Sequence, residues 1–175
     1  HKRIAASIKE NRNPYLEPKA SRNAWLPKNA KISEEAETLL FVGCTMAYRA
    51  QKIAQSIVRI LNNGVDFMIS NEENCCGSVL LRGGQRELAK ELAAYNVKMF
   101  ESKGIKKVIT GCPGCYRTFV KDYPSLLGRK LNFKVAHTSH VLKELLEKGE
   151  IQPKGVRLRV TYHDPCHLGR HSHIY

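Results

Sequence analysis

The chain of 175 residues predicts an α/β protein: a mostly parallel sheet with helices on both faces. Three observations carry this. Short apolar runs of strand length recur from residue 37 onward. Stretches with apolar residues at helical spacing stand between them. Several of those stretches stop at Gly or Asn-Gly, as helix ends do.

The elements follow in order. Residues 1–36 stand apart, with Pro14, Pro18, Pro27 and little periodicity after a short opening helix. They read as an extended linker or arm, with Trp25, the one tryptophan, docked on the domain that follows. Thr38–Gly43 is an apolar run and the first strand. Residues 47–62 carry Ile53, Ile57, Ile60 and Leu61 as a helical stripe ending at Asn62-Asn63-Gly64. Val65–Ser70 reads as a second strand. Residues 85–103 form a long helix with Leu88, Leu92, Ala93 and Met99 inward, and Lys107–Thr110 is a third strand. A helix over 116–122 is expected to stop before Pro124. Phe133–Ala136 is a fourth strand, 140–149 a helix capped by Ser139, and Val156–Tyr162 a fifth strand. Such alternation gives Rossmann-like βαβ units, whose ligands gather at the carboxyl ends of the strands.

Composition narrows the function. Hydrophobic residues make up 42% of the chain, the usual level for a soluble globular protein. No apolar run approaches the ~20 residues of a membrane span, and the opening His1-Lys2-Arg3-Ile4 is not a secretory signal. These features predict a cytoplasmic chain without a membrane span of its own. The net charge is +13, but the basic residues are scattered and no nucleic-acid reading motif is present, so no nucleic acid is expected as a partner. Gly83-Gly84 lacks the flanking pattern of a phosphate loop, which sets nucleotides aside.

Six cysteines without a secretory signal point to metal or redox chemistry rather than disulfides. Cys44 follows the first strand, Cys75-Cys76 the second, Cys112 and Cys115 the third, and Cys166 the fifth. A parallel sheet would gather these thiols at one edge. Cys112-Pro113-Gly114-Cys115 alone reads equally as a redox pair or half a zinc site. Five thiols exceed the four a structural zinc takes, while thiolates suit iron–sulfur clusters and zinc alike. Adjacent cysteines point in different directions and so suit an object with several metals. Gly77, Gly111 and Gly114 let backbone approach closely, and their N–H groups are available to the sulfurs.

The pattern from Cys44 through Cys75-Cys76-Gly77 to Cys112-Pro113-Gly114-Cys115 resembles the CCG, or cysteine-rich, domain family. That family occurs in the catalytic subunit of heterodisulfide reductase and in iron–sulfur subunits of glycolate and lactate oxidoreductases. The resemblance covers roughly residues 11–175. The arm, with Asn13-Pro14, Glu17-Pro18, Arg22 and Trp25, resembles the linker after a ferredoxin-like segment, which here lies outside the chain. His163-Asp164-Pro165-Cys166-His167-Leu168-Gly169-Arg170 resembles the opening of a second copy of the domain. The resemblance thus implies an arm over 1–36, a first domain over 37–155 and the start of a second over 156–175. It implies a noncubane [4Fe–4S] cluster on Cys44, Cys75, Cys76, Cys112 and Cys115, with Cys166 a further candidate ligand and zinc the alternative metal. It implies an oxidoreductase of methanogenesis that cleaves the disulfide of coenzyme M and coenzyme B in two one-electron steps. The resemblance implies other redox subunits as partners, ferredoxin-like, flavin or cytochrome b, and through them alone a place on the cytoplasmic face of a membrane. Electron transfer beside a flavin-dependent oxidoreductase and a structural zinc role are the alternatives. The chain by itself is expected not to turn over a disulfide.

The remaining candidates are weaker. His163, His167, His171 and His173 surround Cys166 and read as a strand-end turn and terminal helix, with a zinc site as the alternative. His137 and His140 flank a helix start and read as locally hydrogen-bonded. Arg82 and Arg86 read either as holding an anionic substrate or as solvated.

Overall fold

In the computed structural model, which describes residues 2–175, strands β1 (Thr38–Leu40), β2 (Lys107–Thr110) and β3 (Lys134–His137) form a sheet in that order. Both pairings are parallel, with Leu39 opposite Val108 and Val108 opposite Val135. Before the sheet comes α1 (Lys2–Asn11). Between β1 and β2 lie α2 (Cys44–Tyr48), α3 (Gln51–Leu61), α4 (Ser78–Arg82) and α5 (Arg86–Ser102). After β2 come α6 (Pro113–Arg117), a π turn over Thr118–Asp122 and α7 (Tyr123–Leu127). After β3 come α8 (Thr138–Glu147) and α9 (Gly169–Ser172).

Alternation along the strands sorts the core into two layers. Leu39, Phe41 and Val108 face α5, α7 and the π turn, packing with Leu92, Val97, Phe100, Phe119 and Tyr123. Leu40, Val42, Ile109 and Ala136 face α3 and α8, packing with Ala54, Val58, Leu61, Val141 and Leu145. Helices therefore cover both faces, as the sequence predicts. Phe41 anchors the first layer: its ring meets Phe119 edge-on at 4.7 Å and Phe100 at 6.1 Å. Residues of the N-terminal arm pack onto both layers. Ile8 joins the first, and Trp25 is buried in the second, as expected.

Several elements differ from expectation. Val65–Ser70 contributes a single parallel bridge, Leu39 to Met68, rather than a strand. Met68 exchanges both backbone bonds with β1, while the Phe67 carbonyl, on the opposite edge, accepts from Ser33 N–H (3.0 Å). The helix expected over 47–62 is two helices, broken at Arg49-Ala50. The break resets the phase: Ala54, Val58 and Leu61 are buried, whereas Ile53 is 56% exposed. The helix expected to end before Pro124 runs on through it. The π turn lets Pro124 enter at the first turn of α7, where a missing N–H costs little. The cap of α8 is His137, whose Nδ1 accepts from Ser139 N–H (3.3 Å), not Ser139. Val156–Tyr162 forms no strand. Val156, Leu158, Val160 and Tyr162 are 72–84% exposed, and among the described residues no strand pairs with them. Extended chain without a ladder has no strand stability of its own.

Candidate metal centre

Three loops at the carboxyl end of the sheet open into short helices, and each carries cysteine at that junction. Cys44 is the first residue of α2, whose cap Gly43 has φ +76° and ψ 159°. Cys75-Cys76 precede Gly77, the left-handed cap of α4 (φ +84°). Cys112 caps α6, with Pro113 at its start and Cys115 within its first turn. Helix starts leave backbone N–H groups free, and here they turn to sulfur. Gly77 N–H donates to Cys75 Sγ (3.4 Å), and the backbone N–H groups of Ser78, and of Gly114 and Cys115, favour the ionised forms of Cys76 and Cys112.

All five thiols line one cavity of about 370 Å³. Neighbouring sulfurs act on one another's ionisation in the order Cys44, Cys75, Cys76, Cys115, Cys112. The tightest contact is Cys76 Sγ to Cys115 Sγ, 3.2 Å. The sulfurs form a chain across the cavity rather than closing on one point. Among the described residues no group of three or more His, Cys, Asp or Glu is gathered as a lone metal ion requires.

The chain polarises its members. Hydrogen bonds from Cys115 and Cys75 pull Cys76 down to about 6 against the cost of burial. The bond from Cys115 does the same for Cys112, also to about 6. Cys115, with Cys112 and Cys76 both beside its buried sulfur, is pushed well above the ordinary thiol range. Cys44 is pushed up by its bond to Cys75 and by burial. At Cys75 the bond with Cys44 pulls down, but that with Cys76 and burial outweigh it. Cys112 is the least buried of the five. In metal-free protein its alkylation by iodoacetamide is expected to rise as pH passes upward through about 6, since the thiolate is the nucleophile. Peptide mapping that finds Cys112 unlabelled at pH 7, with Cys166 labelled, contradicts this.

The walls are mixed. Thr45, Ser78, Gly43 and Gly114 border the sulfurs, and Ile4, Pro14 and Tyr15 of the arm close the opposite side. At the rim Tyr15 shares a hydrogen bond with Thr45 (2.8 Å). Arg49 lies over the Tyr15 ring at 4.8 Å and pairs with Glu17 (2.7 Å). A Cβ at Gly43 would stand 3.3 Å from Cys115 Sγ, in a backbone region reserved for glycine that costs a side chain ~1–3 kcal/mol. Gly43→Ala is expected to lose about that stability and to hold less metal; wild-type melting and metal content would refute both.

Beneath the cavity lie residues that sequence reading missed. Glu73 is buried and accepts from Val42 N–H (2.9 Å) and Gly43 N–H (2.8 Å), fixing the turn into Cys44. Arg22 of the arm pairs with Glu73 and directs its other nitrogen at Cys44 Sγ (3.9 Å). Burial opposes the charge on Arg22, but Glu73 and Cys44 together outweigh it and hold the guanidinium above its ordinary range. Asn96, on the buried face of α5, accepts from Asn74 N–H (3.2 Å) and donates to the Cys75 carbonyl (3.2 Å) and Tyr123 Oη (2.9 Å). A lone polar residue among Leu92, Ala93, Val97 and Phe100 was the signal for it. For Glu73 the signal was a carboxylate two residues before vicinal cysteines.

The other candidates lie elsewhere. Cys166 is exposed and outside the cavity. His163, His171 and His173 are exposed, and His167 is held neutral by burial and by Arg117 and Arg82. His137 caps α8, its charge disfavoured by burial, and His140 stacks edge-on with Tyr116. Arg82 pairs with Asp122 (2.7 Å), and Arg86 is exposed. No helix among the described residues is long and apolar enough to cross a membrane.

Comparison with known proteins agrees with this picture. The chain is 42% identical to a subunit of dihydromethanophenazine:CoB–CoM heterodisulfide reductase from Methanosarcina acetivorans, with 96% of the chain and 42% of that protein aligned. It is 33% identical to EtfAB:quinone oxidoreductase from Syntrophomonas wolfei, over 97% of the chain and 25% of that protein. It is also 33% identical to the probable iron–sulfur-binding oxidoreductase FadF from Bacillus subtilis, over 99% of the chain and 26% of that protein. The chain therefore spans less than half the length of these relatives. No solved structure matches it significantly. The family model of the cysteine-rich domain matches residues 38–120, which contain Cys44, Cys75, Cys76, Cys112 and Cys115. Residues 38–120 of this chain are a cysteine-rich domain of the CCG family.

Proposed function

We propose that this chain is the cluster-binding part of a heterodisulfide-reductase-like subunit, with Cys44, Cys75, Cys76, Cys112 and Cys115 as ligands of a noncubane [4Fe–4S] centre. The observation that carries the reading is the chain of five thiols along one cavity. A polynuclear centre uses a spread set of soft donors, whereas a lone zinc needs four around a point. The relatives support the same reading, since their names describe a heterodisulfide reductase subunit and iron–sulfur oxidoreductases.

Such a centre supplies electrons one at a time. The chain's own residues supply the surroundings. Buried walls exclude water from Cys44, Cys75, Cys76 and Cys115. The Gly77 N–H donates to Cys75 Sγ, the N–H groups of Ser78, Gly114 and Cys115 favour negative charge on Cys76 and Cys112, and hydrogen bonds at sulfur favour added electrons. The whole protein would reduce a disulfide, that of coenzyme M and coenzyme B, taking up two electrons and two protons to release two thiols. In this reading residues 1–36 are the arm after a ferredoxin-like segment, 37–155 the first domain and 156–175 the start of a second. Partner redox subunits deliver the electrons, and the complex works at the cytoplasmic face of the membrane.

The test is metal and sulfide analysis with EPR on protein prepared without oxygen. Iron and acid-labile sulfide in equal amounts, with a paramagnetic signal in one oxidation state, is expected. Zinc without iron overturns the reading. Iron with a reversible EPR signal in the full-length protein, but no effect of added heterodisulfide on that signal, would favour pure electron transfer.

A further inference from the structure

We propose that Arg22 and Glu73 set the reduction potential of the group held by the five thiols, Arg22 raising it through a fixed positive charge against the Cys44 sulfur. This rests on the function proposed above and extends it to residues outside the ligand set.

The geometry is specific. Arg22 and Glu73 are 2% and 1% exposed, and among the described residues they are the only buried arginine or lysine and the only buried carboxylate. Burying two charges costs more than burying an apolar pair of the same volume, and the arm already has apolar anchors in Ile8 and Trp25. The pair is also asymmetric. Both Glu73 oxygens are occupied, by Val42 N–H, Gly43 N–H and Arg22. Arg22 has a second nitrogen left over, and it reaches Cys44 Sγ at 3.9 Å. The positive end of the pair thus sits nearest the sulfur, in a low-dielectric setting where a fixed charge acts strongly. Positive charge beside a centre that gains electrons stabilises its reduced state. Net charge and hydrogen bonds at sulfur are established levers on iron–sulfur potentials.

Two opposed shifts follow, which a purely structural role would not produce. In anaerobically reconstituted protein titrated against redox mediators and followed by EPR, Glu73→Gln leaves Arg22 uncompensated and raises the midpoint potential. The double variant Arg22→Gln with Glu73→Gln removes the nearer positive charge and lowers it below wild type. Arg22→Lys, which keeps the charge, stays closer to wild type than the double variant does. Shifts in one direction only, or none, with iron content retained, overturn the proposal. So does a folded double variant that holds no iron, because Arg22 is then required for assembly rather than tuning. Where variants do not fold, wild-type protein labelled with 15N-arginine decides by ENDOR: a hyperfine coupling from guanidinium nitrogen supports the contact, and its absence overturns it. A wild type without iron is a different result, and it removes the proposed function itself.

Discussion

Cys76→Ser protein, reconstituted without oxygen, is expected to carry far less iron than wild type. Cys76 stands in the middle of the thiol chain, in contact with Cys115 at 3.2 Å and next to Cys75. Its pull down to about 6 makes it one of the two thiols most readily ionised, and the thiolate is the form that binds metal. Serine replaces a soft sulfur with a hard, weakly acidic oxygen of shorter reach. Even partners outside the ligand set cost about 10-fold or more in metal affinity when removed, so a direct ligand should cost at least that. Iron content and absorption spectrum unchanged in the variant would strike Cys76 from the ligand set.

Phe41→Ala is expected to destabilise the fold by about 3–5 kcal/mol. The ring is fully buried and packs edge-on against Phe100 and Phe119. Its backbone N–H donates to the Ile109 carbonyl (2.8 Å), extending the pairing of β1 with β2 to within two residues of Gly43. Truncation leaves a cavity between the sheet and the layer of α5 and the π turn, which close-packed neighbours fill poorly. For a chain of this size the loss corresponds to a fall in Tm of roughly 6–20 °C. A calorimetric or circular-dichroism melt within ~2 °C of wild type would contradict the packing described.

Much of the fold was legible because local patterns and tertiary packing agree. Lys107–Thr110, flanked by a glycine-terminated helix and a cysteine loop, has one reading, and the long helix over 86–102 buries the residues its spacing selects. What was not legible depends on neighbours. Val65–Ser70 has a strand's composition, yet only Met68 pairs with β1. The face of α3 could not be assigned without knowing that the chain breaks at Arg49-Ala50. Val156–Tyr162 has the alternation of a strand, but alternation supplies no partner.

The site divides the same way. The five cysteines were legible as a set because parallel strands bring successive loops to one edge. Their order as a chain was not, since it depends on which helix starts meet. Cys166 shares the strand-end position in sequence but lies outside the cavity. Arg22 and Glu73 are 51 residues apart; the sequence offers Arg22 only within the arm's likeness to a linker and gives Glu73 no role. Only packing of the arm under Cys44 makes them one unit.

X-ray absorption at the iron edge, on protein purified without oxygen, tests the central claim most directly. Iron surrounded by sulfur is expected, with a second shell of iron at the short distance that only a polynuclear centre produces. Iron missing from the protein, with zinc showing a four-atom shell and no metal neighbour, would contradict it.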